Sequence, residues 1–157
     1  MPAAAARLAE ATDLRYPSPM SETRDKPHGE LSTRQLAMPR DTNPRGDIFG
    51  GWLLAQMDVA GSLLAVRRAA GRVVTVGVEA MAFHLPVNVG DVLSCYVEIL
   101  RIGKTSITVR VEAWAEKQEG TFEAVKVTEG QFTYVAIDSR GNKRTVPPEA
   151  PGNYPPL

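Results

Sequence analysis

Gly50-Gly51-Trp52-Leu53-Leu54-Ala55-Gln56-Met57-Asp58-Val59-Ala60-Gly61-Ser62-Leu63-Leu64-Ala65-Val66-Arg67-Arg68-Ala69-Ala70-Gly71 is the stretch on which the fold turns. Between Trp52 and Val66 only Gln56, Asp58 and Ser62 are polar, apart from the small Gly61. Leu and Ala dominate and β-branched residues are few. With about five turns of length, the segment predicts a helix from 50 or 51 to about 70. Arg67 and Arg68 complement the dipole at its C-terminal end, and Gly71 suits a C-cap. Apolar residues occupy most of the circumference, so the helix is expected to be buried on most sides.

Downstream, four segments carry the two-residue period of strands. Over 72–84, Thr75, Gly77 and Glu79 share one face and Val74, Val76 and Val78 the other. Over 91–101, Leu93, Cys95, Val97 and Ile99 align. Over 105–116, Ile107, Val109, Val111, Ala113 and Ala115 face inward against Thr108, Arg110, Glu112 and Glu116. The last segment, 123–138, is interrupted by Gly130, which signals a bulge or the close approach of another backbone. Tight turns at 89–91 and 102–104 link the strands, and 34–38 reads as a short strand upstream. One helix in so short a chain cannot be enclosed by separate sheets. The expectation is an α+β domain, one long buried helix wrapped by a curved antiparallel sheet of about five strands.

The flanks read differently. Residues 1–30 mix four prolines with polar residues and show no period, as a mobile arm would; 141–157 is a Pro-rich tail expected to be extended or disordered. The folded domain is therefore placed at 31–140. Lys plus Arg equals Asp plus Glu at 18 each, which leaves no electrostatic footprint for nucleic acid or an anionic membrane. The single cysteine, Cys95, rules out an intrachain disulfide, and no apolar run reaches the ~18 residues of a membrane span. A soluble cytoplasmic protein is the expectation.

Immediately before the helix lies Met38-Pro39-Arg40-Asp41-Thr42-Asn43-Pro44-Arg45-Gly46-Asp47-Ile48-Phe49. A helix start offers unpaired N–H groups and partial positive charge, which suit a carbonyl oxygen gaining negative charge. Gly50 and Gly51 let a ligand approach the backbone, Asp47 is placed to activate water, and Asn43 to orient the water or the thioester. Asp is equally a favoured N-cap, so the residue types alone leave capping and catalysis both open.

The string Met38-Pro39-x-Asp41-Thr42-Asn43-x-x-Gly46-Asp47-Ile48-Phe49-Gly50-Gly51-Trp52, then Gln56-Met57-Asp58, resembles the short single-domain bacterial acyl-CoA thioesterases of the hotdog superfamily. The likeness continues through Gly71-Arg72-Val73-Val74-Thr75-Val76, Val78-Glu79, Phe83-x-x-Pro86-Val87, Val89-Gly90-Asp91-Val92 and Tyr134-Val135-Ala136, over about 34–148. It implies hydrolysis of acyl-CoA to free CoA and a carboxylic acid, with Asp47 as general base or nucleophile. It also implies a site at the interface of an essential dimer, and a trimer of dimers, hence a homohexamer. The oxyanion would be held at Gly50 and Gly51 or their counterparts in the facing subunit. Thr75 or Glu79 is a further candidate from that subunit. The Arg101, Lys104, Thr105 and Ser106 turn is the most compact basic candidate for the CoA phosphates. CoA enters as part of the substrate, and no metal or other cofactor is expected. A non-catalytic acyl-CoA sensor of the same fold is the alternative.

Other chemistries lack their residues. Cys95 shares parity with Leu93 and Val97, as a buried inert thiol would. His28 lies in the arm and His84 at a strand end, with no ligand spacing for zinc and no dehydratase motif. Neither G-x-S-x-G nor G-x-x-x-x-G-K-[ST] occurs.

Overall fold

The computed structural model describes residues 26–120 and 122–148. Strand β1 (Glu30–Leu36) leads through a 3₁₀ turn (Pro39–Asp41) to helix α1 (Gly50–Ala69). Strands β2 (Val73–Phe83), β3 (Val92–Ile102), β4 (Ser106–Glu116) and β5 (Ala124–Ala136) follow. All pair antiparallel in one sheet of order β1-β3-β4-β5-β2, with α1 packed against it, which is the expected hotdog arrangement. One connection differs from the expectation of tight turns throughout. Residues 84–91 carry the chain from β2, at one edge, across to β3, because β2 pairs with β5 instead.

The core is built from the two periodicities. Leu93, Cys95 and Val97 on β3 and Ile107, Val109, Val111, Ala113 and Ala115 on β4 are all buried, as their parity predicts. They meet Leu53, Met57, Ala60, Gly61, Ala65 and Ala69 of α1. Gly61 sets the closeness of that contact. A Cβ there would lie 2.5 Å from the Tyr134 hydroxyl and 3.1 Å from Val109 Cγ2. The same hydroxyl donates to the Asp58 backbone oxygen at 2.9 Å, pinning the helix to β5. Gly61→Ala is therefore expected to destabilise by about 1–3 kcal/mol through overpacking, read as a lower midpoint in urea. An unchanged midpoint would show that the helix can lift without loss.

The helix is not buried on most sides. Val59 (51% exposed), Leu63 and Val66 form an open apolar stripe. Val74, Val76 and Val78 of the edge strand β2 are exposed as well. Thr75 Oγ1 donates to Asp58 Oδ1 at 2.7 Å, so strand and stripe adjoin. The physical reason is geometric: one sheet faces one side of a helix, and the apolar circumference exceeds what five strands cover. The C-terminus also differs, since Ala70, not Gly71, takes the left-handed conformation (φ 51°).

Strand β2 corrects the predicted face assignment. Thr75 stands opposite Tyr134, but Gly77 stands opposite Thr133, one residue of β2 being extra. Opposed residues share a face, so Thr75 points in toward the helix while Gly77 and Glu79 point out. The edge strand has room for such bulges because nothing among the described residues pairs with its outer side.

The flanks are more ordered than expected. Residues 1–25 and 149–157, most of the predicted arm and the end of the predicted tail, lie outside the described residues. Residues 26–30 are placed on the domain, and 141–148 pack against it. Val146 is buried, its amide donates to Lys104 O at 2.8 Å, and Arg68 Nη1 donates to Pro147 O at 2.8 Å. The packed unit therefore extends beyond 31–140 at both ends.

His28 is accordingly not part of a free arm. Its amide donates to Glu112 Oε2 at 3.2 Å and its Nδ1 lies 2.8 Å from Glu112 Oε1. Trp114 Nε1 donates to the same carboxylate at 3.0 Å. This cover explains why Glu112, predicted to face outward on β4, is 2% exposed. Thr108, likewise predicted outward, is also buried, its hydroxyl beside that of Thr133.

Burial alone would raise the Glu112 pKa. The bonds from Trp114 and His28, with the Lys126 charge, outweigh it and hold the group below its ordinary 4.5. A lowered folded value stabilises at pH above that of the unfolded chain, and the gain disappears as pH falls through the folded value. The stability difference between wild type and Glu112→Gln is expected to be full at pH 7 and to shrink below about pH 4.5, measured by urea titration. A difference independent of pH would contradict this.

Candidate active site

The loop between β1 and α1 is organised by Asn43. Its Oδ1 accepts from the amides of Arg45 (2.9 Å) and Asp47 (3.1 Å). Its own amide donates to Asp47 O at 2.8 Å, and Gly46 turns the chain at φ +87°. An Asx-type closure of this kind fixes the backbone of Asp47 at both its N–H and its C=O. Asn43 Oδ1 is thus committed to backbone amides, so this oxygen holds Asp47 rather than a water. The Met38 amide donates to Asp41 Oδ2 at 2.9 Å, and Thr42 bridges to Ile48, which closes the base of the loop.

Asp47 does not cap the helix. Phe49 occupies the N-cap in extended conformation (φ −61°, ψ 135°), and no side chain caps there. The Trp52 amide turns back to Phe49 O at 3.0 Å, while the Gly50 and Gly51 amides have no acceptor among the described residues. The Asp47 carboxylate likewise has no partner among them and is exposed in the single chain. A negative group without a structural bond therefore precedes two free amides at the positive end of a 20-residue helix. Phe83 closes one side, its Cε1 3.6 Å from where a Cβ on Gly50 would stand, whereas nothing stands within 4 Å at Gly51.

One chain does not bring the remaining candidates to this place. Arg101, Lys104, Thr105 and Ser106 form the β3–β4 hairpin at the opposite end of the domain. Val146 on Lys104 and Arg68 on Pro147 tie that hairpin to the C-terminus of α1. The helix alone separates it from Asp47 by roughly 30 Å. Thr75 is held by Asp58, and Glu79 faces outward. A cavity of about 290 Å³, lined by Lys26, Arg34, Tyr96 and Trp114 among others, lies away from Asp47 on the outer face of the sheet. His84 Nε2 lies 3.3 Å from Glu129 Oε1, and no His, Cys, Asp and Glu cluster suited to a metal occurs among the described residues. Burial pushes the Cys95 thiol up to about 11, which leaves it without nucleophilic thiolate near neutral pH. Sequence reasoning missed Phe83 as a neighbour of the helix start. It also missed Asp58 as the acceptor shared by Thr75 and Tyr134. Gly61 and Gly130 were the available signals of close packing.

Comparison with known proteins identifies the family. The family model described as Thioesterase superfamily matches residues 45–121. The acyl-CoA thioester hydrolase YciA of Escherichia coli is 50% identical over 132 residues, 83% of this chain and 100% of that protein. The chain belongs to the acyl-CoA thioester hydrolases of the hotdog fold. Among solved structures of these hydrolases, the hexameric thioesterase y2039 of Yersinia pestis superposes with a TM-score of 0.74 at 51% identity. That match covers 78% of this chain and 98% of that one. The hexameric hotdog fold thioesterase Cj0915 of Campylobacter jejuni follows at 0.72 and 40% identity, covering 76% and 91%.

Proposed function

We propose that the chain hydrolyses acyl-CoA thioesters to free CoA and a carboxylic acid, with Asp47 as general base. The carboxylate takes a proton from water as the water attacks the thioester carbonyl. Negative charge builds on the carbonyl oxygen, where the Gly50 and Gly51 amides and the helix dipole stabilise it. Collapse of the tetrahedral species expels CoA as thiolate, and the proton held on Asp47 returns to product or solvent. No metal or other cofactor has a step in this scheme. The observation that carries it is an unpartnered carboxylate three residues ahead of unpartnered helix amides.

The exposure of Asp47 in one chain argues for a second copy. A water-filled surface screens charge and weakens such catalysis. The adjoining apolar stripe of α1 and the unpaired edge of β2 are the surface on which a second copy would join sheet to sheet. A trimer of such dimers accords with the hexameric assembly named for the Yersinia and Campylobacter proteins. In that assembly the basic hairpin at Arg101–Ser106 would reach CoA phosphates from another copy, since it is too far away within its own. No helix among the described residues is long and apolar enough to cross a membrane. The buried free thiol of Cys95 accords with work in a reducing compartment such as the cytoplasm.

Thiol release from acetyl-, butyryl-, octanoyl- and palmitoyl-CoA tests the reaction, with turnover expected for at least one chain length. Binding without turnover of any would establish the sensor alternative.

A further inference from the structure

The second bulge of β2 decides which side chain covers the helix start. Between Glu79 and Ala82 the strand gains one residue over β5, with Ala80 in the left-handed region at φ 51°. Ala82 then stands opposite Glu129, and Phe83 opposite Thr128. Thr128 is fully buried and also stands opposite Ala113 of the inner face, so Phe83 points inward. Without the extra residue Ala82 would take that place. Met81 turns inward too, its Sδ filling the space that Gly130 leaves by having no side chain.

The Phe83 ring consequently lies over Gly50, with Cε1 and Cζ at 3.6 and 3.9 Å from the Cβ position of that glycine. It remains 47% exposed, and Phe49, the N-cap residue, is 51% exposed at the same end. The ring thus has one side against Gly50 and another exposed. Pantetheine carries amides that need polar partners, and Phe83, Met81 and Phe49 offer none. The Thr128 hydroxyl is sealed beneath and has no partner of its own among the described residues. An acyl chain matches this wall.

We propose that Phe83 determines acyl specificity: its ring is the wall against which the carbons adjoining the thioester carbonyl lie. This assignment rests on the reading that the Gly50 amide holds that carbonyl. A flat wall so near the reacting carbon accepts a straight chain and rejects branching at the α-carbon.

The test compares kcat/KM for butyryl-, isobutyryl- and benzoyl-CoA in wild type, Phe83→Leu and Phe83→Ala. Methylene-sized changes in an apolar pocket shift such ratios by roughly 10- to 200-fold. The isobutyryl-to-butyryl and benzoyl-to-butyryl ratios are expected to rise about tenfold or more in Phe83→Ala, and by less in Phe83→Leu. Phe83→Leu carries the comparison alone if the alanine variant does not fold. Rates that fall by one common factor for all three substrates would overturn the assignment, leaving the ring as packing at a strand end. Asp47→Asn, assayed in parallel, separates the two failures. If it keeps full activity, the catalytic reading is wrong; if it is inactive while the ratios stay fixed, only the Phe83 assignment falls.

Discussion

Asp47→Asn is expected to lower kcat for acyl-CoA hydrolysis by roughly 10²- to 10⁴-fold while leaving the folded state intact. Asn matches Asp in size but cannot take a proton from water, so the change removes the base and little else. That loss corresponds to about 3–5 kcal/mol of transition-state stabilisation. Stability should move by no more than about 0.5 kcal/mol, the usual range for a surface substitution without a structural bond. The carboxylate has no partner among the described residues, and the backbone bonds to Asn43 do not use it. Thiol release and thermal melting on the same preparation read both quantities. A melting point that falls while activity survives would return Asp47 to a structural role.

Leu63→Glu carries the second large effect. Leu63 is 41% exposed in one chain, so a glutamate there is hydrated and the isolated fold tolerates it. Buried under a second copy, the same carboxylate would lose its water without gaining a partner, at a cost of several kcal/mol on each side of the interface. The variant is expected to sediment as a monomer with native circular dichroism and no measurable turnover. An active oligomer would show that the helix stripe is not the contact surface.

Most of the architecture was legible because its signals are periodic. The 50–70 helix and the strands at 91–101 and 105–116 are placed within a residue or two, since their apolar spacing reports burial directly. β2 was misread for a physical reason. A bulge adds one residue without altering composition, and each addition exchanges the faces of everything beyond it, as between Thr75 and Gly77. Strand order was also hidden, because the link at 84–91 looks like an ordinary turn region yet crosses to a different neighbour. The apolar circumference of the helix was a sound signal assigned to the wrong cover: it exceeds what this sheet hides, and Val59, Leu63 and Val66 stay open. Glu112 looked like an outward strand residue, since nothing in β4 reveals that His28, 84 residues away, lies over it.

The site was half legible. Asp47, Gly50 and Gly51 stood out from residue type and position, but Asp47 as cap and Asp47 as base call for the same residue. Only the geometry, with Phe49 at the N-cap, separates them. Distance is invisible in a list of candidates, so the Arg101–Ser106 hairpin and the Asp47 loop, at opposite ends of one helix, looked equally eligible as parts of one site.

The most direct test is a crystal structure of the Asp47→Asn variant with an intact acyl-CoA. The expected complex holds a water within about 3 Å of the side chain at position 47, aimed at the thioester carbon. The carbonyl oxygen should lie within about 3 Å of the Gly50 or Gly51 amide, enclosed by a second copy of the chain. A thioester bound in a separate cleft, out of reach of residue 47 through one bridging water, would contradict the account.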